Sequence, residues 1–372
     1  MRKEGFSRRS FLRGTAVGST SAALAALPRT AAAAAPPWPV TVESYPLKTF
    51  GAAAGSMPVK LLTDLELPGA YQEKLRAYAP NLEIQRCENR NEFREHLDGA
   101  HIIFGGIGRQ EFASATQLRW IQYSAAGVEG IIFPELVESP VVLTNMQRIF
   151  SPTISETAIG LMVALMRRLN DYSVQTQEHR WKALDGLTEM SGRTLGIVGM
   201  GGIGTDTAYR AHYGFHMRVL GTDPKPLPKP AFVEELHSPE WLPKMAAQVD
   251  VLMSAAPHTP ETHHLFNDEI FSLMKSSAYF INVSRGWLVD STALVKALKE
   301  RRIAGAGLDA TEPEPLPPDH PLWTAGNIII TSHSSGQSEG STQRSLDLLC
   351  ENVRRYVNGL PLLNVVDKKR GY

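Results

Sequence analysis

The run Leu195-Gly196-Ile197-Val198-Gly199-Met200-Gly201-Gly202-Ile203-Gly204 decides the fold. Its spacing is Gly199-x-Gly201-x-x-Gly204. Alone, three such glycines mark only a tight turn. Here an apolar strand precedes them, a helical pattern over 203–213 follows, and a second strand over 218–222 ends at Asp223. Gly204 and Asp223 stand nineteen positions apart, close to the roughly 20 that separate a dinucleotide-binding turn from the acid on the ribose. Gly199 allows the turn, Gly201 lets the backbone approach a pyrophosphate, and Gly204 lets helix and strand pack closely. The helix opened by Gly202 and Ile203 offers unpaired N–H groups and a favourable dipole to phosphates. Asp223 would accept hydrogen bonds from ribose hydroxyls and repel a 2′-phosphate, which favours NAD over NADP. Lys225 weakens that discrimination, and Asp223-Pro224 also reads as an ordinary strand-end turn.

Outward from this run, short apolar segments alternate with amphipathic ones. Strands are expected at 59–63, 82–86, 101–104, 118–123, 141–144, 249–254, 280–283, 306–308 and 328–331. Helices are expected at 72–78, 91–97, from Ser151 onward, and at 171–184, 240–248, 291–300 and 341–357. This alternation predicts the α/β class with parallel sheets.

With 372 residues, 43% of them apolar, the chain is large enough for two domains with sizeable cores. Lys+Arg and Asp+Glu are 38 each. The resulting zero net charge gives no electrostatic footprint for nucleic acid or an anionic membrane. Cys87 and Cys350 are too few for a disulfide framework or a cysteine-based zinc site and read as buried thiols. A single disulfide stays open because the N-terminus reads as an export signal. Ser7-Arg8-Arg9-Ser10-Phe11-Leu12-Arg13 resembles the twin-arginine motif, followed by a weakly apolar run over 16–27 and a small-residue stretch over 31–35. Residues 1–35 are read as this signal and 36–56 as a linker; a start at Met57, with a cytoplasmic location, is the alternative. No other stretch is long and apolar enough to be a membrane helix.

Three polar residues stand at strand ends of the second series: Arg285 in Asn282-Val283-Ser284-Arg285-Gly286, Glu314 in Glu312-Pro313-Glu314-Pro315-Leu316, and His333 in Thr331-Ser332-His333-Ser334-Ser335-Gly336. Ligands of open parallel sheets bind at the carboxyl ends of strands. Reduction of a ketone needs a proton donor working near neutrality, which suits histidine. A neighbouring carboxylate stabilises the imidazolium, and a guanidinium forks onto a planar carboxylate. Singly, each residue also reads as a surface ion pair or loop charge.

As an ordered set, these motifs resemble the D-isomer-specific, NAD-dependent 2-hydroxyacid dehydrogenase family over nearly all of 57–372. Val289-Asp290, Asp309 and Gly336 add to the match, as do spacings of twenty-nine from Arg285 to Glu314 and nineteen from Glu314 to His333. The resemblance implies two Rossmann-like, doubly wound parallel-sheet domains with a cleft between them. Residues 57–152 would begin the substrate domain, 153–336 would form the NAD-binding domain with linking helices, and 337–372 would return to the substrate domain. Arg285 would bind the substrate carboxylate and polarise the carbonyl. His333 would be the general acid and base, with Glu314 fixing its tautomer and raising its pKa. Val283 joins the cofactor-binding residues, and Asp309 with Ser335-Gly336 would meet the nicotinamide carboxamide. Ala126 and Gly127, in Tyr123-Ser124-Ala125-Ala126-Gly127-Val128, would hold the substrate carboxylate through backbone N–H groups. Asn145 and Glu156 match positions near the cleft, and Gly105-Gly106-Ile107-Gly108 reads as a turn lining it.

The expected activity is hydride transfer between NAD(H) and a small 2-hydroxy or 2-keto acid, D-stereospecific, in a homodimer without metal. The alternatives are an NADP-linked glyoxylate or hydroxypyruvate reductase and a non-catalytic dinucleotide sensor; the intact Arg285, Glu314 and His333 argue against the sensor. Ser332 and Glu129 depart from the family's usual Pro and Asp, and Trp287 is bulky after Arg285-Gly286. These departures bear on the substrate. His258 is read as a solvated loop residue.

Overall fold

Parallel pairing runs through both sheets of the computed structural model, which describes residues 58–371. The signal and linker expected at 1–56 lie outside the described residues. The first sheet is built from β1 (Val59–Thr63), α1 (Gly69–Tyr78), β2 (Leu82–Arg86), α2 (Arg90–Glu95), β3 (Ile102–Phe104), α3 (Arg109–Ser114), β4 (Trp120–Gln122), α4 (Pro134–Glu138) and β5 (Val142–Thr144). Its spatial order is β2-β1-β3-β4-β5. Helices α5 (Ser151–Met166) and α6 (Leu169–Gln177) lead on to β6 (Thr194–Val198), α7 (Gly202–Phe215), β7 (Arg218–Thr222), β8 (Glu235–His237), α8 (Leu242–Ala246) and β9 (Val251–Ser254). The chain continues through α9 (Asp268–Leu273), β10 (Tyr279–Asn282), α10 (Ser291–Lys299), β11 (Gly305–Leu308), β12 (Ile328–Ile330) and α11 (Glu339–Val357). The second sheet is ordered β12-β11-β10-β9-β6-β7-β8.

Strands β6, β9, β10 and β11 are buried at every residue. That explains their continuous apolar character: a central parallel strand is covered on both faces. The sheet grows in one direction from β6 through β7 and in the other through β9, so the β6/β9 boundary is the switch point where a crevice opens at the strand C-termini. Helix α10 shows why its residues fold as they do. Asp290 caps it, accepting the N–H groups of Thr292 and Ala293, and Ala293, Leu294, Ala297 and Leu298 form its buried stripe. The Val289-Asp290 motif is thus a helix start.

The C-terminal segment packs on the first sheet. Leu346, Leu349, Cys350, Val353 and Tyr356 of α11 share an apolar cluster with Leu61 and Leu75, and Tyr356 stacks on Trp120 at 5.6 Å. Beyond α11, Asn145 N–H donates to Asn364 O at 3.1 Å and Val366 N–H to Leu143 O at 2.9 Å. The tail therefore lies along β5.

Two expected helices differ. The helix expected over 171–184 stops at Gln177, because His179 adopts a left-handed φ of 52°. Arg180 N–H then reaches Gln175 O and His179 N–H reaches Thr176 O, the paired bonds of a Schellman stop. The helix expected over 240–248 is a short turn at Pro239–Trp241 followed by α8. Pro243 lacks the N–H that a continuous helix would use. Helices α3, α4 and α9 and edge strand β8 are additions, all of six residues or fewer.

Cys87 and Cys350 are unpaired and buried in separate apolar clusters. Burial pushes the Cys350 thiol up to about 11. Among the described residues no helix is long and apolar enough to cross a membrane, and no His/Cys/Asp/Glu group is arranged to hold a metal ion.

Candidate active site

The turn after β6 has the geometry its glycines suggest. Gly199 has a φ of +94°, and a methyl group there would lie 2.8 Å from the Ala255 and Ala256 backbone at the end of β9. A methyl at Gly204 would collide with Gly199 O, whereas Gly201 faces open space. No side chain caps α7, so the N–H groups of its first turn remain available. This open cradle fits the pyrophosphate of a dinucleotide, held by the Gly201–Gly204 backbone. Ile203 packs against the β6–β7 core. Residues from the first sheet's side close over Gly202: Ser151 Oγ and the Arg148 stem leave no room for a side chain. Ser151 Oγ is buried without a hydrogen-bond partner. Neither residue belongs to a motif, so the glycine spacing gave no sign of them.

Asp223 follows β7 with both oxygens engaged by backbone. Oδ2 accepts Met200 N–H at 2.8 Å and Oδ1 accepts Lys225 N–H at 2.9 Å. The two readings of this residue are therefore compatible. It braces the glycine turn while standing, partly exposed, beside it.

Glu314 and His333 meet. His333 Nδ1 and Glu314 Oε2 are 2.9 Å apart. An ionised carboxylate only accepts, so Nδ1 carries the proton and Nε2 is left as the other ring nitrogen. Glu314 Oε1 accepts Thr311 N–H at 2.9 Å, which fixes the carboxylate. His333 sits at φ 52°, a left-handed conformation uncommon for a residue with a side chain.

Asp309 holds that conformation. It is 2% exposed, and its carboxylate accepts from Thr331 Oγ1 at 2.5 Å, from Ser334 N–H at 3.1 Å, and from Ser335 through N–H and Oγ. Its carbonyl accepts His333 N–H at 2.8 Å. A buried charge persists only with such full satisfaction. Asp309 and Ser335 thus shape the loop that presents His333, with Gly336 packed near Phe150.

Arg285 leaves the end of β10 and faces the first sheet. Val283, before it, is buried. Asn282 is fully buried; its amide donates to Arg285 O and Ala310 O, and its oxygen accepts from Ser284 N–H and Oγ. A methyl at Gly286 would collide with Thr311 O, in the stretch that carries Glu314. The turn after β10 and the Glu314 loop are therefore locked together. His264 Nε2 pairs with Glu312 Oε2 at 2.9 Å, and Ser291 Oγ donates to Glu312 O at 3.0 Å, adding two further ties to that loop.

Across from Arg285 lies the turn after β4. Asn145, 4% exposed, donates to Ala126 O at 2.6 Å, and Met146 N–H donates to Ala125 O at 3.0 Å, which fixes the Ala126-Gly127 backbone. Arg285 Nε donates to Glu129 Oε1, and Arg285 Nη1 donates to Ser284 O at 2.9 Å. The pair lies directly on Gly127. Burial foremost, then the Glu129 carboxylate, raises the Tyr123 phenol, with Arg285 opposing; Tyr123 stays protonated near neutral pH. Gly106 packs against the Tyr123 ring.

Glu156, expected near the cleft, and His258, read as a solvated loop residue, have the following neighbours. Glu156 is drawn to Arg210 on α7 at 3.8 Å. His258 contacts His263 at 3.3 Å, with its ring 5.0 Å from the ring of the half-exposed Trp287.

Residues 159–335 match the family described as D-isomer specific 2-hydroxyacid dehydrogenase, NAD binding domain. A glyoxylate reductase of Korarchaeum cryptofilum is 35% identical over 276 residues, covering 72% of this chain and 82% of that protein. A D-isomer specific 2-hydroxyacid dehydrogenase family protein from Aeromonas salmonicida has 33% identity and a TM-score of 0.73, covering 84% of this chain and 99% of its own. A D-isomer specific 2-hydroxyacid dehydrogenase from Xanthobacter autotrophicus, solved with NADPH and MES, has 26% identity and a TM-score of 0.72, covering 85% and 100%.

Proposed function

Because this chain belongs to the D-isomer specific 2-hydroxyacid dehydrogenase family, we propose that it is an NAD-dependent oxidoreductase interconverting a small 2-keto acid and its D-2-hydroxy acid. The observation that carries this reading is the His333–Glu314 pair, set on the loops after β11 and β12, with Arg285 on the loop after β10. When bound along the Gly199–Gly204 turn, the nicotinamide cofactor supplies or takes up the hydride. The chain's own residues do the rest. Arg285 and the Ala126-Gly127 backbone bind and orient the substrate carboxylate. His333 delivers a proton through Nε2 to the carbonyl oxygen during reduction and removes it during oxidation. Glu314 keeps the Nδ1 proton in place and stabilises the imidazolium.

Asp223 supports NAD over NADP, since a carboxylate in this position after the second strand would accept from ribose hydroxyls and repel a 2′-phosphate. A specific observation favours a second reading: Lys225 follows Asp223 closely, and a relative of the same fold was solved with NADPH. An NADP-linked glyoxylate reductase is therefore the competing assignment. Turnover of D- and L-2-hydroxy acids with NAD+ and NADP+ separates the two and tests stereochemistry.

A homodimer and export of the folded chain by the twin-arginine signal at 1–35 complete the proposal. The supports are the family resemblance and the Arg8-Arg9 motif. Transfer of the first 35 residues to a reporter tests the export reading.

A further inference from the structure

We propose that Glu129 is an internal competitor for the substrate carboxylate: its pairing with Arg285 must give way for a 2-keto or 2-hydroxy acid to bind. The proposal rests on reading Arg285 as the carboxylate anchor.

Glu129 stands two positions beyond Gly127 on the turn after β4. Its Oε1 accepts from Arg285 Nε. A methyl group built on Gly127 would collide with Arg285 Nη2 and Glu129 Oε2, and would lie 2.9 Å from Glu129 Oε1. The carboxylate and guanidinium therefore rest on the very backbone assigned to cradle the substrate carboxylate. With one Nη1 proton turned to Ser284 O and Nε donating to Glu129, Glu129 takes up the Nε–Nη2 edge, one of the two edges on which a guanidinium can fork onto a carboxylate. A guanidinium presents its donors in a fixed fork. Two carboxylates on one edge would also repel each other.

The length of the side chain matters. Aspartate, the residue the resemblance leads one to expect at this position, is one methylene shorter, and the glutamate meets Arg285 over the Gly127 Cα. The side chains of Arg285 and Glu129 retain 27% and 33% of their exposure. Such a half-exposed pair is weak enough to exchange partners. Glu129 thus selects for substrates whose carboxylate outcompetes it and raises the concentration needed to fill the site.

The test uses the full chain with saturating NADH. Oxamate, an unreactive anionic 2-keto-acid mimic, is titrated calorimetrically into the wild type, Glu129→Gln, Glu129→Asp and Arg285→Ala. KM and kcat for glyoxylate are measured alongside. Loss of one half-exposed ion pair predicts oxamate Kd and glyoxylate KM lower by roughly three- to tenfold in Glu129→Gln. Glu129→Asp should fall between, and kcat should change by less than about twofold. An unchanged or higher Kd and KM in Glu129→Gln, with Arg285→Ala still abolishing oxamate binding, would overturn the competitor role alone. Oxamate binding undiminished in Arg285→Ala would instead overturn the anchor reading beneath it.

Discussion

His333 Nδ1–H donates to Glu314 Oε2 at 2.9 Å, while the other oxygen of that carboxylate accepts Thr311 N–H at 2.9 Å. One carboxylate thus fixes the tautomer of the histidine and is itself fixed by backbone. Glu314→Gln presents an amide of the same shape with half the acceptor capacity and no charge to stabilise an imidazolium. The expected result is a kcat lower by about 10²- to 10⁴-fold. Because the pair is partly exposed, thermal stability should change by less than about 1 kcal/mol. Steady-state kinetics with a thermal melt check both.

Gly286 makes the second mechanical link, since its Cα lies against Thr311 O and a methyl would lie 2.7 Å from Glu312 N. Backbone cannot give way as a flexible side chain can. Gly286→Ala should destabilise the protein by about 1–3 kcal/mol or more. It should also lower kcat by shifting the Glu314 loop relative to Arg285. Urea unfolding measures the first effect and kinetics the second.

Much of this arrangement was legible in the sequence because it is local or periodic. The glycine turn, the strand before it and the acid at Asp223 sit within thirty residues. Arg285, Glu314 and His333 follow strand ends and keep a characteristic order. What was not legible depends on residues far apart in the chain. Glu129 and Arg285 are 156 positions apart, and no spacing rule links them. Asp309 was expected at the nicotinamide; that its carboxylate bonds the His333 loop shows only in the folded course of residues 331–335. The stop of α6 turned on one left-handed residue, His179. Histidine is an unusual choice there, and the pattern over 171–184 gave no warning of it.

Asp223 tests cofactor choice. Asp223→Ser removes the charge that would repel a 2′-phosphate and also the acceptors of Met200 and Lys225 N–H. NADH should bind more weakly, by about 1–3 kcal/mol, and the ratio of NADPH to NADH efficiency should rise. Fluorescence titration of both reduced cofactors gives the answer. An unchanged ratio would show that Asp223 only braces the turn.

Glu111 links stability to pH. Burial opposes its ionised form, but bonds from Arg90, Gly108 N–H and Arg94 outweigh burial and lower its pKa from 4.5. A folded-state pKa below the unfolded one contributes stability that is full above pH 4.5 and is lost as pH falls through the lower folded value. Glu111→Gln should therefore lower stability at pH 7 and flatten its decline below about pH 4.5. Denaturant unfolding across pH 3–7 in both proteins checks the sign.

The role of His333 is measured by comparing wild type with His333→Ala for oxidation of NADH by glyoxylate, with NADH binding measured separately. Turnover is expected in the wild type and its near loss in His333→Ala, by about 10²-fold or more, with NADH affinity unchanged. NADH binding without turnover of any small 2-keto acid in the wild type, or full activity in His333→Ala, would contradict it.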